Sequence, residues 1–236
     1  MSHPVSHPGS HIREHGSVLA AAEKDALIWI AERLPPFVTS DHLSALGLLS
    51  MLGAGLSFAA FRLTPFFAGA VIACLAVNWL GDSLDGTLAR VRDRQRPRYG
   101  FYVDHVIDLA GSTLLLTGMA CSGLMSPTVA AALLAAYLLV SAESFLATHA
   151  AGVFRVSFLG CGPTELRIVL AIGVLKAAQT PAVHIGVLGP VRLFDLGGVI
   201  AVTGLVAAFI ASAARNTGAL YKAEPLPRSP RESRVA

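Results

Sequence analysis

The chain has 236 residues, of which 54% are hydrophobic and 14% are charged, and its mean hydropathy is +0.62. Charged residues make up about a quarter of an ordinary soluble domain, so this composition excludes that class. The apolar content excludes disorder for most of the chain, and the 3 cysteines, all in apolar stretches, exclude a disulfide scaffold. The formal net charge of +3 does not indicate a nucleic acid partner, because the basic residues fall between and beyond the apolar runs.

The first 34 residues contain no segment that is predicted to span a membrane. Residues 1–17 are rich in His, Pro and Ser and lack the apolar segment of a signal peptide, so we expect a disordered tail. Residues 18–34 are apolar at helical spacing but carry too many charges for a membrane span. This pattern predicts an interfacial amphipathic helix, which Pro35 and Pro36 end.

Six apolar runs follow, and they predict an all-α integral membrane bundle of about six transmembrane helices over residues 35–215. The runs lie near residues 42–61, 66–90, 102–123, 127–150, 164–180 and 192–214. Turn-forming pairs such as Ser126-Pro127 and Gly189-Pro190 separate several of them. Residues 216–236 are rich in Pro, Arg and Ser, and we expect a disordered basic tail there.

The positions of the arginines predict the orientation of the bundle, since short loops rich in Lys and Arg stay on the cytoplasmic side. Four arginines lie between the second and third runs, namely Arg92, Arg94, Arg96 and Arg98. Arg155 lies between the fourth and fifth runs, and more basic residues lie in the C-terminal tail. We therefore expect an inner or plasma membrane protein with both termini and this arginine loop on the cytoplasmic side.

Four carboxylates lie next to the arginine loop, where ionisable side chains within membrane spans indicate a functional site. Asp82 and Asp85 share a helix face late in the second run, and Asp104 and Asp108 share a face early in the third. The short loop makes these helices antiparallel neighbours, so all four carboxylates can meet. A helix cap or an arginine pair would explain one such aspartate, but not four at these spacings.

Four clustered carboxylates need cations, and oxygen ligands favour hard divalent ions such as Mg²⁺ or Mn²⁺. Two ions about 4 Å apart would hold a diphosphate and assist displacement at phosphorus. Gly86 and Ala89 lie on the face of Asp82 and Asp85 and leave room for a ligand, although helix packing would also explain them. Arg90 could make a forked contact with a phosphate.

These positions form a pattern that resembles a family signature. The chain reads Asp82-x-x-Asp85-Gly86-x-x-Ala89-Arg90, then 9 residues, then Gly100-x-x-x-Asp104-x-x-x-Asp108. The pattern is similar to the signature of the class I CDP-alcohol phosphotransferases, or CDP-alcohol phosphatidyltransferases, and all 8 defining positions are present.

The resemblance implies that an acceptor hydroxyl attacks a phosphorus of a CDP-linked alcohol and that CMP leaves. It implies two divalent ions, held by Asp82, Asp85 and Asp104. Asp108 would be the general base on the attacking hydroxyl and a further metal ligand. Gly86 and Ala89 would make room for the cytidine diphosphate, and Arg90 would orient the site.

Three further residues are candidates for substrate binding: Asn78, Arg155 and Arg167. Asn78 lies one turn before Asp82 on the same helix face, where it would touch the nucleotide or only pack. The two arginines would suit a phosphorylated acceptor. Glu143 or Glu165 would instead suit serine or an amino alcohol, and the sequence does not decide between these acceptors.

The expected donor is CDP-diacylglycerol, whose acyl chains can stay in the bilayer, and the expected acceptor is a small hydroxyl compound, as in phospholipid synthesis. An aminoalcohol phosphotransferase that uses CDP-choline or CDP-ethanolamine with diacylglycerol is the alternative within the family. A divalent-cation transporter is a more remote alternative, since the carboxylates lie at one end of two helices rather than across the membrane. The resemblance also implies a homodimer.

Overall fold

A computed structural model describes residues 18–151, 163–186 and 189–224. These residues form seven helices and one two-stranded sheet. The helices are α1 (Val18–Arg33), α2 (Ser40–Ala60), α3 (Phe67–Val91), α4 (Pro97–Ser122), α5 (Pro127–Ala151), α6 (Pro163–Gln179) and α7 (Leu193–Ala223). The strands β1 (Ala182–Ile185) and β2 (Gly189–Arg192) lie between α6 and α7.

The predicted all-α membrane bundle is confirmed, and two helix boundaries differ from the prediction. α4 begins at Pro97 rather than near residue 102, because proline fits the first turn of a helix. α7 continues past residue 214 to Ala223, and Asn216 donates a hydrogen bond of 2.7 Å to Glu143 of α5. Residues 216–223, which the sequence analysis assigned to the disordered tail, are therefore part of α7. Residues 1–17 and 225–236 lie outside the described residues.

The hairpin between α6 and α7 was not predicted. Its strands pair antiparallel, with Val183 opposite Val191. Gly186 and Gly189 have φ angles of +39° and +71°, a backbone conformation that glycine adopts at little cost. Each strand has only 4 residues, so the hairpin is a connection between helices and adds no layer to the bundle.

Within the described residues, four helices are long and apolar enough to cross a membrane by length and composition, namely α2, α3, α5 and α7. The predicted count of six spans is not confirmed, because α6 has 17 residues and α4 carries Arg98, Asp104 and Asp108 in its first half. Large apolar side chains remain exposed on these helices, among them Leu49, Leu56, Leu139, Ile200 and Ile210. Lipid is the natural partner of such a surface, and the chain is an integral membrane protein.

The helix α2 packs against both α3 and α4, and glycines allow close contact of their backbones. A Cβ atom on Gly118 of α4 would overlap the backbone oxygen of Gly55 on α2. On α3, a Cβ atom on Gly81 would lie 2.8 Å from the backbone oxygen of Leu43. Small residues are what lets membrane helices approach so closely. These contacts hold α3 and α4 against α2.

Replacing Gly118 by alanine is expected to lower the free energy of unfolding by about 3 kcal/mol, because the new methyl group meets backbone that cannot move aside. The midpoint of thermal unfolding of the purified protein in detergent measures the effect. Gly204→Ala is the matched control, since a Cβ atom there meets nothing within 4 Å. Equal midpoints for the two variants would contradict the close contact of α2 and α4.

The helix α1 packs against the C-terminal end of α3. An apolar cluster joins the two helices and the start of α2: Leu27, Ala31, Leu43, Leu84 and Leu88. The guanidinium of Arg92 also donates hydrogen bonds to the backbone oxygens of Leu34 and Pro35, at 2.8 and 3.1 Å. Arg92 thus anchors the segment between α1 and α2 next to the arginine loop.

Candidate active site

The four carboxylates predicted to act together line one small pocket between α3 and α4: Asp82, Asp85, Asp104 and Asp108. The remaining wall comes from Ser44 and Gly47 of α2, Asn78 of α3 and Ile107 of α4. The pocket is narrow, with a free volume of about 10 Å³ in this arrangement of the side chains. The four carboxylates therefore face one narrow space between α3 and α4.

The turn between α3 and α4 brings these side chains together. α3 ends at Val91, and Asp93 adopts a left-handed backbone conformation with a φ of +52°. The backbone N–H of Arg94 donates to the oxygen of Ala89 at 2.9 Å, which closes the helix end. Pro97 then starts α4, so the last turns of α3 face the first turns of α4.

Two serines of α2 hold Asp85. The hydroxyl of Ser44 donates to the Oδ2 atom of Asp85 at 2.6 Å, and the hydroxyl of Ser40 donates to the backbone oxygen of Asp85 at 2.8 Å. The sequence analysis missed both serines. The signal was the i, i+4, i+7 spacing of Ser40, Ser44 and Gly47, which places a polar stripe of small residues on one face of α2.

Replacing Ser44 by alanine is expected to lower the catalytic rate about tenfold. The hydrogen bond that orients the Asp85 carboxylate is lost, and supporting bonds of this kind contribute about 10- to 100-fold to metal sites. The rate of CMP release measures the effect. Ser50→Ala is the matched control, because the Ser50 hydroxyl donates to Leu46 within α2 and does not line the pocket. Equal rates for both variants would show that Ser44 does not orient Asp85.

Asp82 and Asn78 meet an arginine from α6. The Nη2 atom of Arg167 donates to the Oδ2 atom of Asp82 at 2.8 Å, and its Nε atom donates to the Oδ1 atom of Asn78 at 2.8 Å. The Nδ2 atom of Asn78 donates to the backbone oxygen of Gly47 at 3.0 Å. The buried Asn78 side chain thus links α2, α3 and α6 beside the pocket.

The two carboxylates of α4 are more open to solvent than Asp82. Asp104 has a side-chain exposure of 48%, against 30% for Asp82, and the Nδ1 atom of His105 lies 3.8 Å from its Oδ2 atom. Asp108 is exposed as well. An exposed carboxylate on the pocket wall is accessible to an incoming hydroxyl group, which a general base requires.

The predicted nucleotide face lies beside the pocket. A Cβ atom on Gly86 would meet the flexible guanidinium of Arg90, 3.4 Å from its Nη1 atom. The Nη2 atom of Arg90 donates to the hydroxyl of Thr87 at 3.0 Å, and Arg90 is otherwise exposed. Ala89 is half-buried. A ligand that moves the Arg90 side chain gains access to the backbone at Gly86.

The other acceptor candidates do not all reach the pocket. Arg167 contacts it, as described above. Glu143 accepts its hydrogen bond from Asn216, and it is not among the described residues that line the pocket. Glu165 lies in the first turn of α6. Arg155 lies outside the described residues.

The chemistry of the lining side chains fits a hard divalent ion, since they offer four carboxylates, a hydroxyl and an amide oxygen. Across the described ranges, however, no three His, Cys, Asp or Glu side chains form a ready-made metal cage. Two of the carboxylates are turned toward protein partners instead: Asp82 bonds Arg167, and Asp85 bonds Ser44. Ligation therefore requires side-chain rotation within an existing pocket.

The fold and the pocket define an integral membrane protein with four carboxylates from two consecutive helices at one end of a helical bundle. The family comparison agrees with this class: the CDP-alcohol phosphatidyltransferase family matches residues 41–213, and the chain belongs to this family. It is a transferase that moves a phosphatidyl group from a CDP-alcohol to a hydroxyl acceptor in phospholipid biosynthesis. The family uses divalent metal ions. No curated protein matches the chain.

Proposed function

We propose that the chain transfers the phosphatidyl group of CDP-diacylglycerol to a small hydroxyl acceptor and releases CMP. The observation that carries the proposal is the pocket in which α3 and α4 place all four signature carboxylates. The exposed apolar surface of the bundle supports a lipid donor, because the acyl chains of a CDP-linked lipid can remain beside it while the diphosphate reaches the pocket.

The carboxylates have two roles in this proposal. Asp82, Asp85, Asp104 and Asp108 would hold two Mg²⁺ or Mn²⁺ ions, and bound ions neutralise the diphosphate and favour ionisation of the acceptor hydroxyl. Asp108 accepts the proton of that hydroxyl. The hydroxyl oxygen forms a bond to the phosphorus that carries the diacylglycerol, the bond from this phosphorus to the CMP oxygen breaks, and CMP leaves.

The residues around the carboxylates position the donor. Gly86 and Ala89 leave the backbone of α3 open to the cytidine diphosphate, and Arg90 is placed to contact a phosphate after it leaves Thr87. Asn78 holds Arg167 beside the pocket. Arg167 and Arg155 are the proposed contacts for an anionic acceptor, and the position of Arg167 favours this acceptor class over one recognised by Glu143.

The arginine loop favours a cytoplasmic active site. The pocket lies at the end of the bundle where Arg92, Arg94 and Arg96 connect α3 to α4. Both termini would then also be cytoplasmic, and the membrane would be an inner or plasma membrane. A homodimer is proposed as the functional state.

A panel of donors and acceptors tests the proposed function. Purified protein with Mg²⁺ is incubated with CDP-diacylglycerol and one of several acceptors: inositol phosphate, glycerol phosphate, serine or an amino alcohol. We expect CMP release and a new phospholipid with an anionic acceptor. Product formed only from CDP-choline or CDP-ethanolamine with diacylglycerol would identify the aminoalcohol phosphotransferase alternative. Mg²⁺ transport into vesicles without CMP release would identify the transporter alternative and contradict the proposed transferase activity.

A further inference from the structure

Arg167 of α6 makes two side-chain hydrogen bonds to residues that line the pocket. Its guanidinium binds Asp82 and Asn78 at once, each at 2.8 Å, and joins residues of α3 and α6 that are 85 and 89 positions apart in sequence. The arginine side chain is 15% exposed and that of Asp82 is 30% exposed. An ion pair this sheltered from water is screened less by solvent and salt than a pair on the surface.

The charge of the pocket explains why an arginine lies there. Four carboxylates line one pocket, and negative charges that share a site repel one another. One guanidinium bound to Asp82 offsets part of that repulsion. The same Oδ2 atom of Asp82 is an oxygen that a divalent ion would use, so the two cations share one ligand atom.

We propose that Arg167 is a built-in counter-cation that competes with the divalent ion for Asp82. The inference rests on the metal site of the proposed function. It adds that the ion pair between Arg167 and Asp82 breaks when a divalent ion binds. Asn78 keeps hold of the Nε atom, so the guanidinium stays beside the pocket. Its Nη atoms are then free for an anionic phosphate. Arg167 can therefore bind a substrate phosphate even though it binds the Asp82 carboxylate in this structure.

The competition predicts a specific change in metal affinity without any substrate. Removal of the competing charge in Arg167→Gln is expected to tighten Mn²⁺ binding about tenfold, which corresponds to about 1.4 kcal/mol. Arg167→Lys keeps the positive charge but loses the fork that binds Asn78 and Asp82 together, so its Mn²⁺ affinity should lie between those of the parent and of Arg167→Gln. Electron paramagnetic resonance of free Mn²⁺, titrated into purified protein, measures both. If Arg167 only supported the structure of the pocket, its replacement would instead weaken Mn²⁺ binding.

Arg192→Gln is the matched control. Arg192 pairs with Asp195 at 3.4 Å next to the hairpin, on residues that do not line the pocket, and its replacement should leave Mn²⁺ affinity unchanged. Unchanged or weaker binding in Arg167→Gln, with normal binding by the parent, would overturn the competition and leave the proposed function intact. If the parent protein binds no Mn²⁺, both the metal site and this inference fail.

A second measurement uses the parent protein and does not depend on the folding of a variant. Phenylglyoxal labels free guanidinium groups, and mass spectrometry reports the labelled fraction of Arg167. Labelling should rise severalfold when Mn²⁺ is added, because the ion pair with Asp82 opens. Labelling of Arg192 should not change. Equal labelling of Arg167 with and without Mn²⁺ would overturn the proposal.

Discussion

Asp108→Asn is expected to lower the rate of CMP release at least about a thousandfold. General bases contribute about 10²- to 10⁴-fold, and this substitution also removes a negative charge from the proposed ion site. Asparagine keeps the shape of the side chain but cannot accept the proton of the acceptor hydroxyl. The initial rate with CDP-diacylglycerol and saturating acceptor measures the loss.

Asp93→Asn is the matched control for this substitution. Asp93 lies in the turn between α3 and α4 with a φ of +52°, a conformation that asparagine tolerates as well as aspartate does. Its rate should equal that of the parent. If Asp108→Asn retained a rate within about tenfold of the parent, a role as general base would be rejected, since such a small loss is below what bases contribute.

Removal of divalent ions is expected to abolish CMP release. The pocket carries four carboxylates, and Arg167 binds only Asp82 among the contacts described above, so the carboxylates need added cations before the site can accept a diphosphate. Chelation followed by gel filtration should reduce the rate to background. Addition of Mg²⁺ or Mn²⁺ should restore it.

The variants of individual ligands sharpen this prediction. Asp82→Asn and Asp104→Asn should each raise the Mg²⁺ concentration for half-maximal rate at least about tenfold, because even supporting residues of metal sites contribute that much. Asp195→Asn, near the start of α7, is the control and should not change this concentration. Full activity after chelation would show that the carboxylates act without ions.

The sequence predicted α2 to α7 because apolar runs mark them, and several of these runs have a proline close to one end. It predicted the carboxylate pocket because Asp82 with Asp85, and Asp104 with Asp108, are related by helical spacing within one hairpin of helices. These relations are local in sequence. The hairpin of β1 and β2 was missed because strands of 4 residues give too short a pattern to distinguish them from a loop.

The contacts that the sequence did not predict are those between distant helices. Ser44 and Asp85 are 41 positions apart, and Arg167 and Asp82 are 85 apart. Such pairs depend on how α2 and α6 pack against α3, which spacing along one helix does not determine. Arg167 was predicted to bind an acceptor, but its bond with Asp82 follows only from the packing of α6 on α3.

The central claim is that the four carboxylates hold divalent ions, and anomalous diffraction from crystals soaked in Mn²⁺ tests it most directly. The account predicts Mn²⁺ peaks in the pocket, each ligated by oxygen atoms from both α3 and α4, and no such peaks in Asp85→Asn crystals. Mn²⁺ bound elsewhere, or ligated by only one of the two helices, would contradict it.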